Sequence, residues 1–185
     1  MAIHKAQDQV GQWTIKVRFP RKRVTLRVTE EEFTTSRNSG NLMLVRKLEI
    51  VLPETINVDG AEYNIAGQEV TQYVVLRNLD PVTKERDEEK SSRSIARFLE
   101  ERRLLGLPAD EVDDENPPLD LTSMLIDAVV SCDESVSREE PTPEQRAKKE
   151  LGTPIKDAQG NDLKVYRLKV EQLLGRSTAE VNKPY

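Results

Sequence analysis

Six cations, Lys16, Arg18, Arg21, Lys22, Arg23 and Arg27, stand between Thr14 and Val28 with no acid among them. Residues of this type in such a run hold a polyanion by displacing the counterions of its phosphates. Arg37, Arg46 and Lys47 follow in the next twenty residues and enlarge the set. A sequence-independent grip on a single strand also needs aromatic faces on which bases stack. Trp13, Tyr63 and Tyr73 are the candidates, with Phe19 and Phe33 as further aromatics whose place in the chain suits a core equally well. The competing reading of the cations is a solvated strand surface, where Lys and Arg discourage edge pairing.

Covalent and metal chemistry are poorly provided for. The chain holds one His and one Cys. A structural zinc site needs four ligands rich in both, and a Ser-His-Asp triad would have to use His4, close to the first residue. Cys132 lies in an apolar stretch with no cation or His beside it, which predicts a buried thiol. Asp110, Glu111, Asp113, Asp114 and Glu115 lack the alternation and the central Gly of an EF-hand loop, so a solvating acidic surface is expected. Neither a GxxxxGK[ST] loop nor a GxGxxG turn is present. The expectation is a binding protein and not an enzyme, without metal or cofactor.

The elements that must position these residues are mostly strands. Trp13, Ile15, Val17 and Phe19 alternate with Thr14, Lys16 and Arg18, which predicts a half-buried strand over 12–19. Pro20 breaks it, and Val24, Leu26 and Val28 resume the alternation until Glu30, Glu31 and Glu32 leave the strand. Thr34 to Asn41 reads as a turn or flexible loop, Leu42 to Leu52 as a long strand ended by Pro53, and Asn57-Val58-Asp59-Gly60 as a hairpin turn of type I′. Strands follow at Tyr63–Ile65 and Glu69–Leu76, with a bend at Gly67. Ser91 or Ser92 caps a helix over about 92–105, which Gly106 stops. An acidic, loop-rich segment over 108–145 holds a helical turn or two near Leu121 and a strand at Ala128–Cys132. Thr142-Pro143-Glu144-Gln145 forms a capping box for a short helix running to Leu151. A closing strand covers 163–170, and 176–185 reads as a tail. At 185 residues this is one domain, its basic β-rich part over 11–78. The fold class is mostly β (α+β): a five-stranded OB-like barrel with one main helix and long polar loops.

The net charge of −5 is unevenly placed. Residues 1–50 carry +5, 51–107 carry −3, 108–145 carry −11 and 146–185 carry +4. A basic head on an acidic chain keeps a nucleic-acid partner open, where the total alone argues against one. No apolar run reaches the roughly 18 residues of a membrane span. With no apolar leader core either, a soluble protein of a reducing compartment is expected.

Gly11 with its strand, Thr34-Thr35-Ser36-Arg37-Asn38-Ser39-Gly40-Asn41-Leu42-Met43-Leu44 leading into the long β run, and Ser94-Ile95-Ala96-Arg97-Phe98-Leu99 followed by Leu105-Gly106-Leu107-Pro108 resemble bacteriophage single-stranded DNA-binding proteins of the OB-fold type. The likeness spans residues 11–130 and extends to the strand at 163–170. It implies cooperative, sequence-independent binding of single-stranded DNA by a basic barrel face during DNA replication or recombination, in the cytoplasm of the infected host cell. It also implies self-association and contact with replication or recombination proteins. Many such proteins end in an acidic tail, whereas this chain ends Asn182-Lys183-Pro184-Tyr185 and carries its acids internally. The alternative is a phage virion structural or assembly protein, a connector, tube or decoration subunit, in which the basic head meets the acidic middle of a neighbouring copy. A third reading is a small regulator whose acidic stretch imitates nucleic acid.

Overall fold

The computed structural model describes residues 3–4 and 17–179. Its strands are β1 (Ile3–His4), β2 (Lys22–Thr35), β3 (Leu42–Leu52), β4 (Thr55–Val58), β5 (Ala61–Asn64), β6 (Glu69–Arg77), β7 (Leu125–Val136) and β8 (Lys164–Arg176), with helices α1 (Glu88–Leu104) and α2 (Pro143–Ala147). Five strands form one antiparallel sheet in the order β6-β3-β2-β7-β8, and β1-β5-β4 form a small second sheet. The edge strands β6 and β8 approach one another, yet no ladder joins them among the described residues, so the sheet curls without closing into a barrel. The fold is β-rich α+β, as the alternation predicts.

The inner face follows period two. Val24, Leu26 and Val28 of β2, Leu48 and Ile50 of β3, Val70 of β6, and Ile126, Ala128 and Val130 of β7 are all buried in one core with Phe19. A second cluster, Leu44, Leu76 and Phe98, with Phe33 against it, seats α1 on the sheet. α1 packs on β6 and reaches β8.

Several boundaries move from the expected places. The predicted strand over 12–19 is not one where it is described: Val17 to Pro20 are irregular, and Phe19 is buried as an anchor ahead of β2. Residues 12–16 lie outside the described residues. Glu30, Glu31 and Glu32 do not end β2. A register shift between Val28 and Glu30 changes which residues face inward, so Glu31 and Phe33 turn into the fold and the strand continues to Thr35. α1 begins at Glu88 because Asp87 caps it, its Oδ1 accepting the Lys90 N–H at 3.0 Å. Ser91 is instead buried inside the helix, its Oγ accepting the Asn78 N–H at 2.9 Å. Within the acidic 108–145 segment the strand expected at Ala128–Cys132 is longer, β7 running over 125–136 and paired on both sides. β8 extends past Val170 to Arg176, which takes the first residue of the predicted tail into the sheet. α2 is shorter than expected and ends at Ala147, though its capping box is formed as read.

Asp59 and Gly60 both hold positive φ, 51° and 83°, as the type I′ turn between β4 and β5 requires.

Candidate nucleic-acid interface

Arg46 is the first of the predicted phosphate contacts to be removed. It is only 1% exposed, on the inner face of β3 between Leu44 and Leu48. Its Nε donates to Glu31 at 3.0 Å, and Nη1 donates to Gln72 at 3.2 Å and to Glu101 of α1. The Glu31 side chain, also 1% exposed, turns its second oxygen to the Leu121 N–H at 2.7 Å. Arg46 therefore joins β2, β3, β6 and α1 and has no access to a ligand. Beside it Arg102 donates to both oxygens of Asp120 at 2.8 Å and to the Pro108 carbonyl at 2.7 Å. Both guanidinium groups lie over Phe98, 5.7 and 5.8 Å from its ring centre.

The Arg102 guanidinium holds the Asp120 carboxyl below its ordinary range, and Asp120 holds Arg102 above its own. The sign follows from linkage. A carboxylate whose folded pKa lies below its unfolded value adds stability above the unfolded value and loses it as pH falls through the folded one. Thermal midpoints recorded from neutral pH down through the carboxylate range should therefore fall, and Asp120→Asn should flatten the acid limb. A variant with the same acid limb as the parent would show that other carboxylates carry it.

The remaining cations stay on the surface, and most have an acid. Arg21 pairs with Glu171 at 2.5 Å, Arg23 with Asp127 at 2.8 Å, Arg27 with Glu49 at 2.8 Å and Lys47 with Glu30 at 2.6 Å. Thr25 adds a hydrogen bond to Asp127, and Ser131 one to Glu171. The Ser131 hydroxyl and Arg21 hold Glu171 below its usual range, and Glu30 raises Lys47. Arg18 is exposed near Glu134 and Lys164. Lys22 and Arg37 are exposed and have no ion pair among the described residues, Lys22 at the start of β2 and Arg37 in the turn between β2 and β3. Trp13 and Lys16 lie outside the described residues. The basic stripe thus exists as a row, with carboxylates interleaved.

The aromatics separate cleanly. Tyr63 is half-buried against the main core, and Phe33 and Phe19 belong to the two clusters. Tyr73 is 66% exposed on the outer face of β6, level with Val45 of β3. Met43, Val45 and Lys47 face outward beside Val75, Tyr73 and Thr71. This gives a sheet surface with an apolar strip, one free ring and a cation. Tyr73 also borders a cleft of 430 Å³ at the open seam, walled by Glu69 and Thr71 of β6, Asp133 of β7 and Arg167, Leu168 and Lys169 of β8, with Lys169 paired to Asp133 at 2.5 Å. Arg167 and Lys169 were not singled out from sequence. Leu168 points inward, so the alternation of β8 puts its two neighbours outward, and that was the available signal.

Cys132 is buried, its Sγ–H directed at the Phe19 carbonyl 3.5 Å away, as expected of a structural thiol. Asp114 is clamped by Arg77 at 3.3 Å and Arg86 at 2.8 Å, which draws the acidic segment onto the sheet. Among the described residues no group of three His, Cys, Asp or Glu is placed to hold a metal ion, and no helix is long and apolar enough to cross a membrane. The chain matches no family model, and the searches of curated proteins and of solved structures also find no match.

Proposed function

We propose that this chain binds single-stranded DNA without sequence preference, on the outer face of β3 and β6 and along the open seam. It is a binding protein, and its setting is phage DNA replication or recombination in the cytoplasm of the infected host cell. Taken along the chain, the five strands of the main sheet stand in the order 3-2-1-4-5, with α1 between the third and fourth. That connectivity suits a partly open OB-type barrel, whose second and third strands offer the oligonucleotide face. In this chain those strands are β3 and β6.

The observation that carries the reading is Tyr73. A tyrosine ring left in solvent at mid-strand, beside an apolar strip and near Lys47, Arg167 and Lys169, is a stacking platform with cations around it. The test is fluorescence anisotropy with labelled oligonucleotides of mixed sequence at two salt concentrations. Single strands should bind more tightly than duplex, and affinity should fall as salt rises. Tyr73→Ala should weaken binding roughly 5- to 150-fold, the range of one lost base stack. No binding by the parent protein at low salt sinks the proposal. A chain that ignores DNA but forms large, salt-sensitive particles in light scattering would favour the virion-assembly reading instead.

A further inference from the structure

Most cations of the outer sheet surface, on and beside the proposed face, already hold a carboxylate, Lys169 of the seam included, which pairs with Asp133 at 2.5 Å. Arg21, Arg23, Arg27 and Lys47 are each held across the sheet by Glu171, Asp127, Glu49 and Glu30, at 2.5 to 2.8 Å. Three of the pairs join neighbouring strands, Arg23 of β2 to β7 and Arg27 and Lys47 between β2 and β3, and Arg21, just ahead of β2, reaches Glu171 of β8. Exposed pairs of this kind contribute little to stability, because water screens them and two long side chains must be ordered. Their effect on the field is larger. A carboxylate within hydrogen-bond reach of each cation cancels most of its attraction for a polyanion a few ångströms further out.

From this arrangement we infer that Glu30, Glu49, Asp127 and Glu171 are built-in competitors of phosphate, holding single-strand affinity below what the cations of this face would give. The inference rests on the proposed reading of the face as a DNA surface. A phosphate that arrives must displace a carboxylate from its guanidinium or ammonium group, and the carboxylate then stays nearby as a fixed negative charge. Binding is therefore weaker, and its net release of counterions smaller, than a count of Lys and Arg implies. Such a surface lets strands exchange readily, while Lys22 and Arg37, which have no acid partner among the described residues, retain their full attraction.

The experiment removes three of the four competitors and keeps their shape. The triple variant Glu30→Gln, Glu49→Gln, Asp127→Asn is compared with the parent protein and with a second triple variant, Glu89→Gln, Glu111→Gln, Glu140→Gln. The second has the same change in net charge, placed at exposed positions on α1 and in the loops away from the face. All three are titrated with the same mixed-sequence single strand over a salt series, after thermal melts confirm folding. The face variant should bind about tenfold more tightly at low salt, roughly a factor of two per released cation, and its log–log salt slope should steepen by up to about 0.7 for each. The distant variant should stay within about twofold of the parent, as screening at moderate salt requires. Binding by the parent with no gain in the face variant, or an equal gain in both variants, overturns the inference and leaves the proposed function standing. Absence of binding by the parent at low salt overturns the proposed function, and the inference falls with it.

Discussion

Replacing Arg46 with alanine should destabilise the protein by about 3–5 kcal/mol, the usual consequence of removing one partner of a buried ion pair. The size follows from what is left behind. The Glu31 side chain is 1% exposed, and its Oε1 would lose the Arg46 Nε–H at 3.0 Å while its Oε2 kept the Leu121 N–H. A buried carboxylate with one partner gone either remains charged in a poor environment or takes a proton, and both are unfavourable. Gln72 and Glu101 would lose donors as well. Urea unfolding of the parent and of Arg46→Ala measures the difference directly. Arg46→Met is the informative companion. Combined with Glu31→Leu it removes the two most deeply buried charges, leaving the more exposed Glu101, and restores apolar volume, so it should recover part of the loss, because a buried pair and its apolar replacement are often close in stability. The same Arg46→Ala change at a phosphate-contacting residue would reduce binding with little effect on unfolding. A loss near zero in urea would thus return Arg46 to the set of phosphate contacts.

The misplacement of Arg46 shows where a linear reading stops. In Leu42 to Leu52 the β-branched and leucine-rich run declares a strand, and the strand occupies those residues. The parity is legible too: Leu44, Leu48 and Ile50 share a face, and Arg46 shares it with them. Period two alone places the arginine inward. It is read as a phosphate contact because a cation in an apolar row has no local explanation. The explanation is long-range, with Glu31 fifteen residues away and Glu101 fifty-five. The surface pairs are hidden for the same reason. Arg27 meets Glu49 across 22 residues, and Arg23 meets Asp127 across 104. Only the strand order brings them together, and nothing in the spacing of like charges along one segment reveals which opposite charges the neighbouring strands supply. Local devices behave differently. The Asp59-Gly60 turn and the Thr142 capping box depend on backbone geometry within four residues, and both form as their sequences dictate. The start of β6 and the position of Tyr73 are legible from alternation, but the exposure of Tyr73 is not, since it depends on no other element packing over the outer face of β6 at that point.

Phe98→Ala should be the other severe substitution, again about 3–5 kcal/mol, the range for deleting a buried aromatic side chain. Phe98 is 1% exposed and is the residue by which α1 meets Leu44 and Leu76 on the sheet. Its loss opens a cavity in the smaller of the two clusters, where few neighbours can collapse to fill it. The ring does more than occupy volume. Arg46 and Arg102 lie over it at 5.7 and 5.8 Å, so its faces attract the two guanidinium groups that hold the sheet to α1 and α1 to the loop at Asp120. Phe98→Leu separates the two contributions. It keeps most of the apolar volume and removes the ring faces, so it should lose less than the alanine variant, about 2–3 kcal/mol, of which the cation–ring contacts supply about 0.5–1 for each guanidinium. A double-mutant cycle between Phe98→Leu and Arg102→Met then measures the coupling. Additive effects would mean that the guanidinium groups sit over the ring only because Glu31, Glu101 and Asp120 hold them there. A coupling of about 0.5 kcal/mol or more would establish the ring as a member of the network. The difference bears on binding as well. α1 braces β6, the strand that presents Tyr73. If the network is what keeps β6 in place, Phe98→Leu should weaken single-strand affinity in proportion to the coupling, although Phe98 itself is buried and touches no ligand.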